Sequence, residues 1–262
     1  PGNVRVGAPA HEMTADDFLR SARASAPAIC AAGARVGVRV WRAIEETRRV
    51  VRCNTNLGIV LLAAPLCRAA EMPGAAHPAG LRNRVERALE DLDRADTELA
   101  YRAIRLAEPG GLGTAERYDV RDASDAPAVT LLTAMREAAS RDTVARQYSE
   151  GFRDVFDLGL NAWRHALREY GDEALATTWT YLSFVAAIPD THIQRKRGTD
   201  TAQAVAIYAK ECLSRLAQST DRANIVAMLA RWDLSLKTEG LNPGTSADLT
   251  VATIFAAKLA RA

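Results

Sequence analysis

Apolar residues recur at spacings of three and four along nearly the whole chain, while the apolar/polar alternation that marks strands is almost absent. This pattern restricts the chain to an all-α architecture, because a stripe of 3.6-residue period buries itself against other helices. The length of 262 residues is enough for one domain with a substantial core. No repeat of fixed period appears, so one all-helical domain over residues 1–262 is expected.

Local signals place the helices. Thr14 and Asp17 have capping-box spacing and open a helix to about Cys30. A second is expected from about Gly33 to Arg49, and a third, starting near Asn54, is apolar nearly all round and therefore central. Leu81 to Ala107 reads as one long amphipathic helix with Val85, Leu89, Leu92, Leu99 and Ile104 on its stripe. Further helices are expected at about 128–139, 141–158, 159–170, 173–188, 201–217, 220–236 and 246–260. Glu108 to Pro127, containing Pro109-Gly110-Gly111-Leu112-Gly113, reads as a long loop of the kind that forms substrate walls or lids. Its glycines follow a helix and lack a Lys-Ser/Thr ending, which excludes a P-loop.

Composition excludes several classes. Charged residues make up 25% with a net charge of +2, basic and acidic residues are interspersed, and aromatics are only 6%. No nucleic-acid-binding surface is expected from that balance. The longest apolar run, Leu57 to Leu66, contains Pro65 and stops before Arg68, so no membrane span is expected. Pro1-Gly2-Asn3-Val4-Arg5 has no apolar signal region, and residues are expected in front of Pro1. Cys30, Cys53, Cys67 and Cys212 form no C-x-x-C pair and are expected to be buried thiols of a reduced, cytoplasmic protein. The four histidines have no metal-binding spacing, and no G-x-S-x-G elbow occurs.

Four polar clusters break the helical pattern, and such breaks are where functional sites appear. Asn242-Pro243-Gly244-Thr245-Ser246-Ala247-Asp248 combines a turn, a helix start and several hydrogen-bonding side chains, which suits a polyanion. Thr245 to Asp248 equally has the spacing of a plain capping box. Asn54-Thr55-Asn56 places two amides and a hydroxyl ahead of the most apolar helix, more than capping requires. Asp190-Thr191-His192 leads into Arg195-Lys196-Arg197, a cationic triplet fit for phosphates or for a solvated loop. His192 by itself says little. Arg141, Asp142 and Ala145 would share a helix face, with an Asp142–Arg146 pair as the bland account.

Taken in order, Asn54-Thr55-Asn56-Leu57-Gly58, Asp190-Thr191-His192 with Arg195 and Gly198, and Asn242 to Leu249 resemble the triphosphoribosyl-dephospho-coenzyme A synthase family. Pro1-Gly2-Asn3-Val4 is similar to the end of that family's Ser-Pro-Lys-Pro-Gly segment. The resemblance implies an all-helical, Mg²⁺-dependent transferase acting on ATP and a cofactor-precursor acceptor, with a homodimer among the expectations. The acceptor's hydroxyl would attack C1′ of ATP and adenine would leave. It implies Asp190 and Asp248 in base or metal roles. Asn54, Thr55, Asn56, Arg141, Arg195, Asn242, Gly244, Thr245 and Ser246 would bind ATP or substrate. The family's Asn-Thr-His-Lys-Gly stands here as Asn54-Thr55-Asn56-Leu57-Gly58, and Gly198-Thr199 replaces a double glycine. These departures look like a branch tied to pterin- and furan-linked one-carbon carriers, in which the acceptor differs from dephospho-coenzyme A. Two other readings stand beside it: a different ATP-using step in the same biosynthesis, and a non-catalytic protein that binds a nucleotide or a partner.

Overall fold

The computed structural model describes residues 1–122, 128–218 and 221–260. Among these the regular structure is helical, with no strands beyond two isolated bridges near the N-terminus. The helices are α1 (Ala15–Ile29), α2 (Val36–Val50), α3 (Leu57–Ala70), α4 (Pro78–Glu90), α5 (Arg94–Ala107), α6 (Leu131–Ala138) and α7 (Thr143–Ser149). A π-helical segment, Asp154–Gly159, runs into α8 (Leu160–Tyr170). Then come α9 (Glu173–Ala187), α10 (Thr191–Arg197), α11 (Thr199–Gln218), α12 (Arg222–Thr238) and α13 (Gly244–Leu259). Among the described residues no helix is long and apolar enough to cross a membrane.

The apolar α3 lies at the centre, as its composition requires, with Val60, Leu62, Ala64 and Leu66 fully buried. Pro65 within it has no N–H for the carbonyl of Leu61, and Tyr148 Oη donates to that carbonyl at 2.7 Å instead. α2, α4 and α13 surround α3, while α1 and α5 pack on α2. α9 joins this core to a smaller one. It gives Ala176 and Phe184 to the first and Tyr181, Leu182 and Val185 to the second, which α10, α11 and α12 complete.

Three elements differ from expectation. Leu81 to Ala107 is not one helix: Asp93 starts a new one, accepting from the N–H groups of Ala95 and Asp96 while Asp96 accepts from its own N–H. The same Asp96 accepts from the N–H of Gly37, so one carboxylate fixes the starts of α5 and α2. The expected helix 141–158 stops at Ser149, because Gly151 and Phe152 take positive φ of 59° and 58° to bury the Phe152 ring. Among the thiols only Cys67 and Cys212 are buried; Cys30, at the C-terminal cap of α1, is exposed, and Cys53 is half-buried.

The loop expected over 108–127 begins where Glu108 turns α5 off with left-handed φ. Residues 108–122 carry no helix, and 123–127 lie outside the described residues. Tyr101 Oη holds the Tyr118 carbonyl at 2.7 Å and Arg105 the Val120 carbonyl at 3.2 Å, which brings the loop down over the cavity described below. Gly110 and Gly111 lie against the side chain of Lys196, at distances where a Cβ would crowd it.

Candidate active site

The N-termini of α3, α7, α10 and α13 open on one cavity of about 810 Å³. Each is built by its local sequence. Asn54 Oδ1 accepts from the N–H of Leu57 at 3.1 Å, Asp142 Oδ1 from Ala145 at 3.0 Å, and Asp190 Oδ1 from His192 and Ile193 at 2.9 and 3.2 Å. Side-chain bonds tie three of these ends together. The Thr191 hydroxyl accepts from the N–H of Thr143 at 3.3 Å and lies 3.2 Å from that of Thr245. Asp190 Oδ2 accepts from both the N–H and the hydroxyl of Ser246, each at 2.8 Å. Arg195 Nη1 donates to Asp142 Oδ2 at 2.5 Å. Asp142 therefore pairs across to α10, and Arg146, expected as its partner, bonds Asp154 at 2.7 Å.

The candidate residues sort into two groups. Asn54, Thr55, Asn56, Arg141, Arg195, Asn242, Gly244, Thr245 and Asp248 line the cavity. Asp190 and Ser246 are buried behind its wall. Asp190 accepts from four donors, so its carboxylate is a structural joint between α10 and α13.

Asp248 is its opposite. It lines the cavity without a hydrogen bond, and the capping box expected with Thr245 does not form, since α13 has no side-chain cap. Its carboxylate lies over Gly58, where a Cβ would stand 2.1 Å from Oδ2; only glycine at that point of α3 leaves room for it. Burial, with Asp190 and then Asp142 nearby, holds the Asp248 carboxyl well above the usual range against the pull of Arg195. Burial likewise pushes His192 down to about 4, helped by Lys196, Arg195 and His11, so its imidazole is neutral at pH 7.

Several polar atoms of the lining residues are buried without partners: Asn56 Oδ1, His192 Nε2, Arg195 Nε and Asn242 Oδ1. The Asn56 amide orientation follows from its neighbours. The hydroxyls of Thr47 and Ser25 give their protons to backbone carbonyls and so accept from Asn56 Nδ2, leaving Oδ1 unsatisfied. Such orphans are costly, and their concentration in one cavity is expected of a ligand site. Away from this polar end the cavity becomes apolar, lined by Phe18, Tyr101, Ile104, Leu112, Leu131 and Met135.

Sequence pattern assigned no role to Gly58 within its motif, and did not place the His192 ring on the cavity or Asp142 against Arg195. One signal was available: Asp142-Thr143 and Asp190-Thr191 are the same dipeptide at the start of two short helices, and the two threonines meet.

Among the described residues no three His, Cys, Asp or Glu side chains gather as a protein-held metal site. The carboxylates at the polar end suit a cation that arrives on phosphates, since Mg²⁺ is commonly held by one or two carboxylates plus substrate oxygens.

Comparison with known proteins bears on this geometry. The family model described as ATP:dephospho-CoA triphosphoribosyl transferase (CitG) matches residues 1–262. A crystal structure of a protein from Archaeoglobus fulgidus, described by assignment as a triphosphoribosyl-dephospho-coA synthase, superposes with a TM-score of 0.71 at 23% identity. The match covers 92% of this chain and 98% of that one, and at this identity it speaks for the fold. A search of curated proteins gave no match.

Proposed function

We propose, from the premise that the chain belongs to the ATP:dephospho-CoA triphosphoribosyl transferase family and is a transferase, that it moves the triphosphoribosyl group of ATP to a hydroxyl of dephospho-CoA or a related cofactor precursor. The observation that carries this reading is the unpartnered Asp248 carboxyl set among four helix N-termini, Arg195 and Arg141 in one cavity. Helix N-termini and guanidinium groups suit a triphosphate. The long apolar end suits the bulk of a second substrate.

In this reading the acceptor hydroxyl attacks C1′ of ATP, the C1′–N9 bond breaks, and adenine leaves with the bonding pair and takes up a proton. Positive charge develops at C1′, and a carboxylate facing it lowers the barrier. The hydroxyl's proton passes to Asp248, whose raised proton affinity makes it a better base near neutrality than an ordinary carboxylate. Asp190, satisfied by four donors, fixes the first turn of α13 and so aims Asp248. The expected sharing of base and metal roles between these residues therefore narrows to Asp248. Asp248, with Asp142 beside it, would meet Mg²⁺ brought in on ATP, which offsets phosphate charge. Arg195, Arg141 and Thr245 at the start of α13 face the phosphates, Ser246 acts behind the wall through Asp190, and Asn54, Asn56 and Asn242 face the base and ribose.

The test is incubation with MgATP and a panel of hydroxyl acceptors, including dephospho-CoA and pterin- and furan-type precursors, with chromatography for adenine and mass spectrometry for the product. Adenine formed in step with a triphosphoribosylated acceptor is the expected result. ADP, AMP or pyrophosphate in its place would move the chain to another ATP-using step. Asn56 and Leu57, at positions where the resemblance expects His and Lys, favour an acceptor other than dephospho-CoA.

A further inference from the structure

One wall of the cavity has no part in this chemistry. Residues 1–13 run without helix, stiffened by the isolated bridges Arg5–Ala8 and Ala10–Met13 and by His11 on the Gly2 carbonyl; Pro1, Asn3, Val4, Arg5 and Val6 line the cavity, and so does the edge of Asp233. A segment with so few hydrogen bonds of its own keeps its place through ties to the rest of the fold. Those ties converge on Asp233 of α12, a side chain the sequence reading did not single out. It is 4% exposed and accepts from the Gly2 N–H at 2.9 Å, Arg5 Nε at 3.2 Å and Lys237 Nζ at 2.9 Å.

The surrounding bonds reinforce the same attachment. Lys237 also donates to the Ala8 carbonyl at 3.1 Å, Tyr181 Oη donates to that of Pro1 at 2.6 Å, and His11 Nε2 bonds that of Gly2 at 2.8 Å. Gly2 has φ of +79°, and a Cβ there would stand 2.8 Å from Pro243 Cδ and 2.9 Å from Leu236 Cδ1. The segment is thus pressed against the turn that begins α13, the helix that carries Asp248.

We propose that Asp233 is a positioning residue for the transfer reaction: it fastens residues 1–8 as a wall that holds bound substrate against the first turn of α13. This inference rests on the cavity being the transfer site. Asp233 lines the cavity only at its edge, with both carboxylate oxygens taken by the segment and Lys237. Its effect is on substrate binding, through the place of the segment.

Asp233→Asn keeps the size but removes the charge that holds Arg5 and Lys237. Gly2→Ala pushes the segment off Pro243 with Asp233 intact. Arg5→Gln removes one half-exposed contact to Asp233 without threatening the fold; because Arg5 itself lines the cavity, a rise in KM counts for the proposal only with faster exchange. Hydrogen exchange of residues 2–8 in the whole protein is read beside steady-state adenine release.

For Asp233→Asn and Gly2→Ala, exchange in residues 2–8 should speed up about tenfold and KM for at least one substrate rise about tenfold, with kcat within about threefold. Arg5→Gln should raise KM about twofold, as a half-exposed ion pair allows. Faster exchange with unchanged KM would show that the segment is not a substrate wall, and unchanged exchange in Asp233→Asn would show that Asp233 is not its fastener. If Asp233→Asn and Gly2→Ala do not fold, the exchange and KM of Arg5→Gln decide alone, and no change in either overturns the proposal. Wild-type protein that releases no adenine with any acceptor would instead overturn the transferase reading itself.

Discussion

The starts of α10 and α13 each hold an aspartate, one buried and one half-buried, and the two have opposite surroundings. Burial raises the proton affinity of both. Asp190 is then pulled back by four donors, from Ser246, Ile193 and His192, and lies behind the cavity wall. Asp248, one turn into α13, has no donor and faces the cavity beside Asp142 and Arg195. A carboxylate with its hydrogen bonds satisfied joins elements; one that faces a cavity without them is a stored demand for a proton, a metal ion or a developing cation. The count of donors distinguishes these roles, and the exposure of Asp248 to the cavity agrees with it.

The largest expected effect breaks the comparison at Asp248. Asp248→Asn should lower kcat by about a thousandfold, since it removes the base and the negative charge together. It should also stabilise the ligand-free protein. The unfolded carboxyl ionises near pH 3.9, whereas the folded one holds its proton well above that. As pH rises through this window the unfolded state of the wild type is favoured. Thermal melts should therefore coincide near pH 3.5 and separate above about pH 5, the Asn variant melting higher. Asp190→Ala should do the reverse, costing about 3 kcal/mol of stability by leaving the Ser246, His192 and Ile193 donors unpaired in the interior. A denaturant titration measures that cost, and Asp190→Ala melting like the wild type would show that the joint is dispensable.

Much of this architecture was legible in the sequence because helix starts are written locally. Thr14 and Asp17 form their capping box, and the apolar face of α3 marked the centre. The break at Asp93 was missed because the stripes of α4 and α5 run on nearly in phase across it, and only the cap chemistry divides them. α10 was hidden by its charges: a seven-residue helix ending in Arg195-Lys196-Arg197 shows no stripe, and its packing depends on Ile193 alone reaching the smaller core. The polar clusters were visible as exceptions to periodicity. Which side chains line the cavity and which hold it depends on contacts between residues 50 or more apart, such as Asp190 with Ser246 and Arg195 with Asp142, and local pattern does not carry those.

A smaller change sharpens the comparison without touching either carboxylate. Gly58→Ala places a methyl group 2.1 Å from where Asp248 Oδ2 now lies, so the carboxylate must rotate away. Alanine is the better helix former, and Gly58 is in the first turn of α3, so stability should stay within about 1 kcal/mol. Activity should fall by about ten- to a hundredfold, as a displacement of about 1 Å at a reacting group allows. Equal losses of stability and activity would mean that Gly58 serves packing rather than the placement of Asp248.

The smallest effect concerns His192, which belongs to both sides of the comparison. Its N–H is one of the donors that satisfy Asp190, while its ring lines the cavity and leaves Nε2 unpaired. Burial, then Lys196, Arg195 and His11, lowers its pKa to about 4 from an ordinary value near 6.5. In the unfolded chain the ring takes up its proton first as pH falls. Stability should therefore be lost progressively between about pH 6.5 and pH 4, and be flat in this group above that window. His192→Gln keeps the backbone bond to Asp190 and a polar tip but does not titrate, so its unfolding free energy should fall less steeply over that interval. The wild type and the variant following parallel curves would mean that the ring reaches water when the cavity is empty, and that the shielding which raises the Asp248 carboxyl begins deeper than His192.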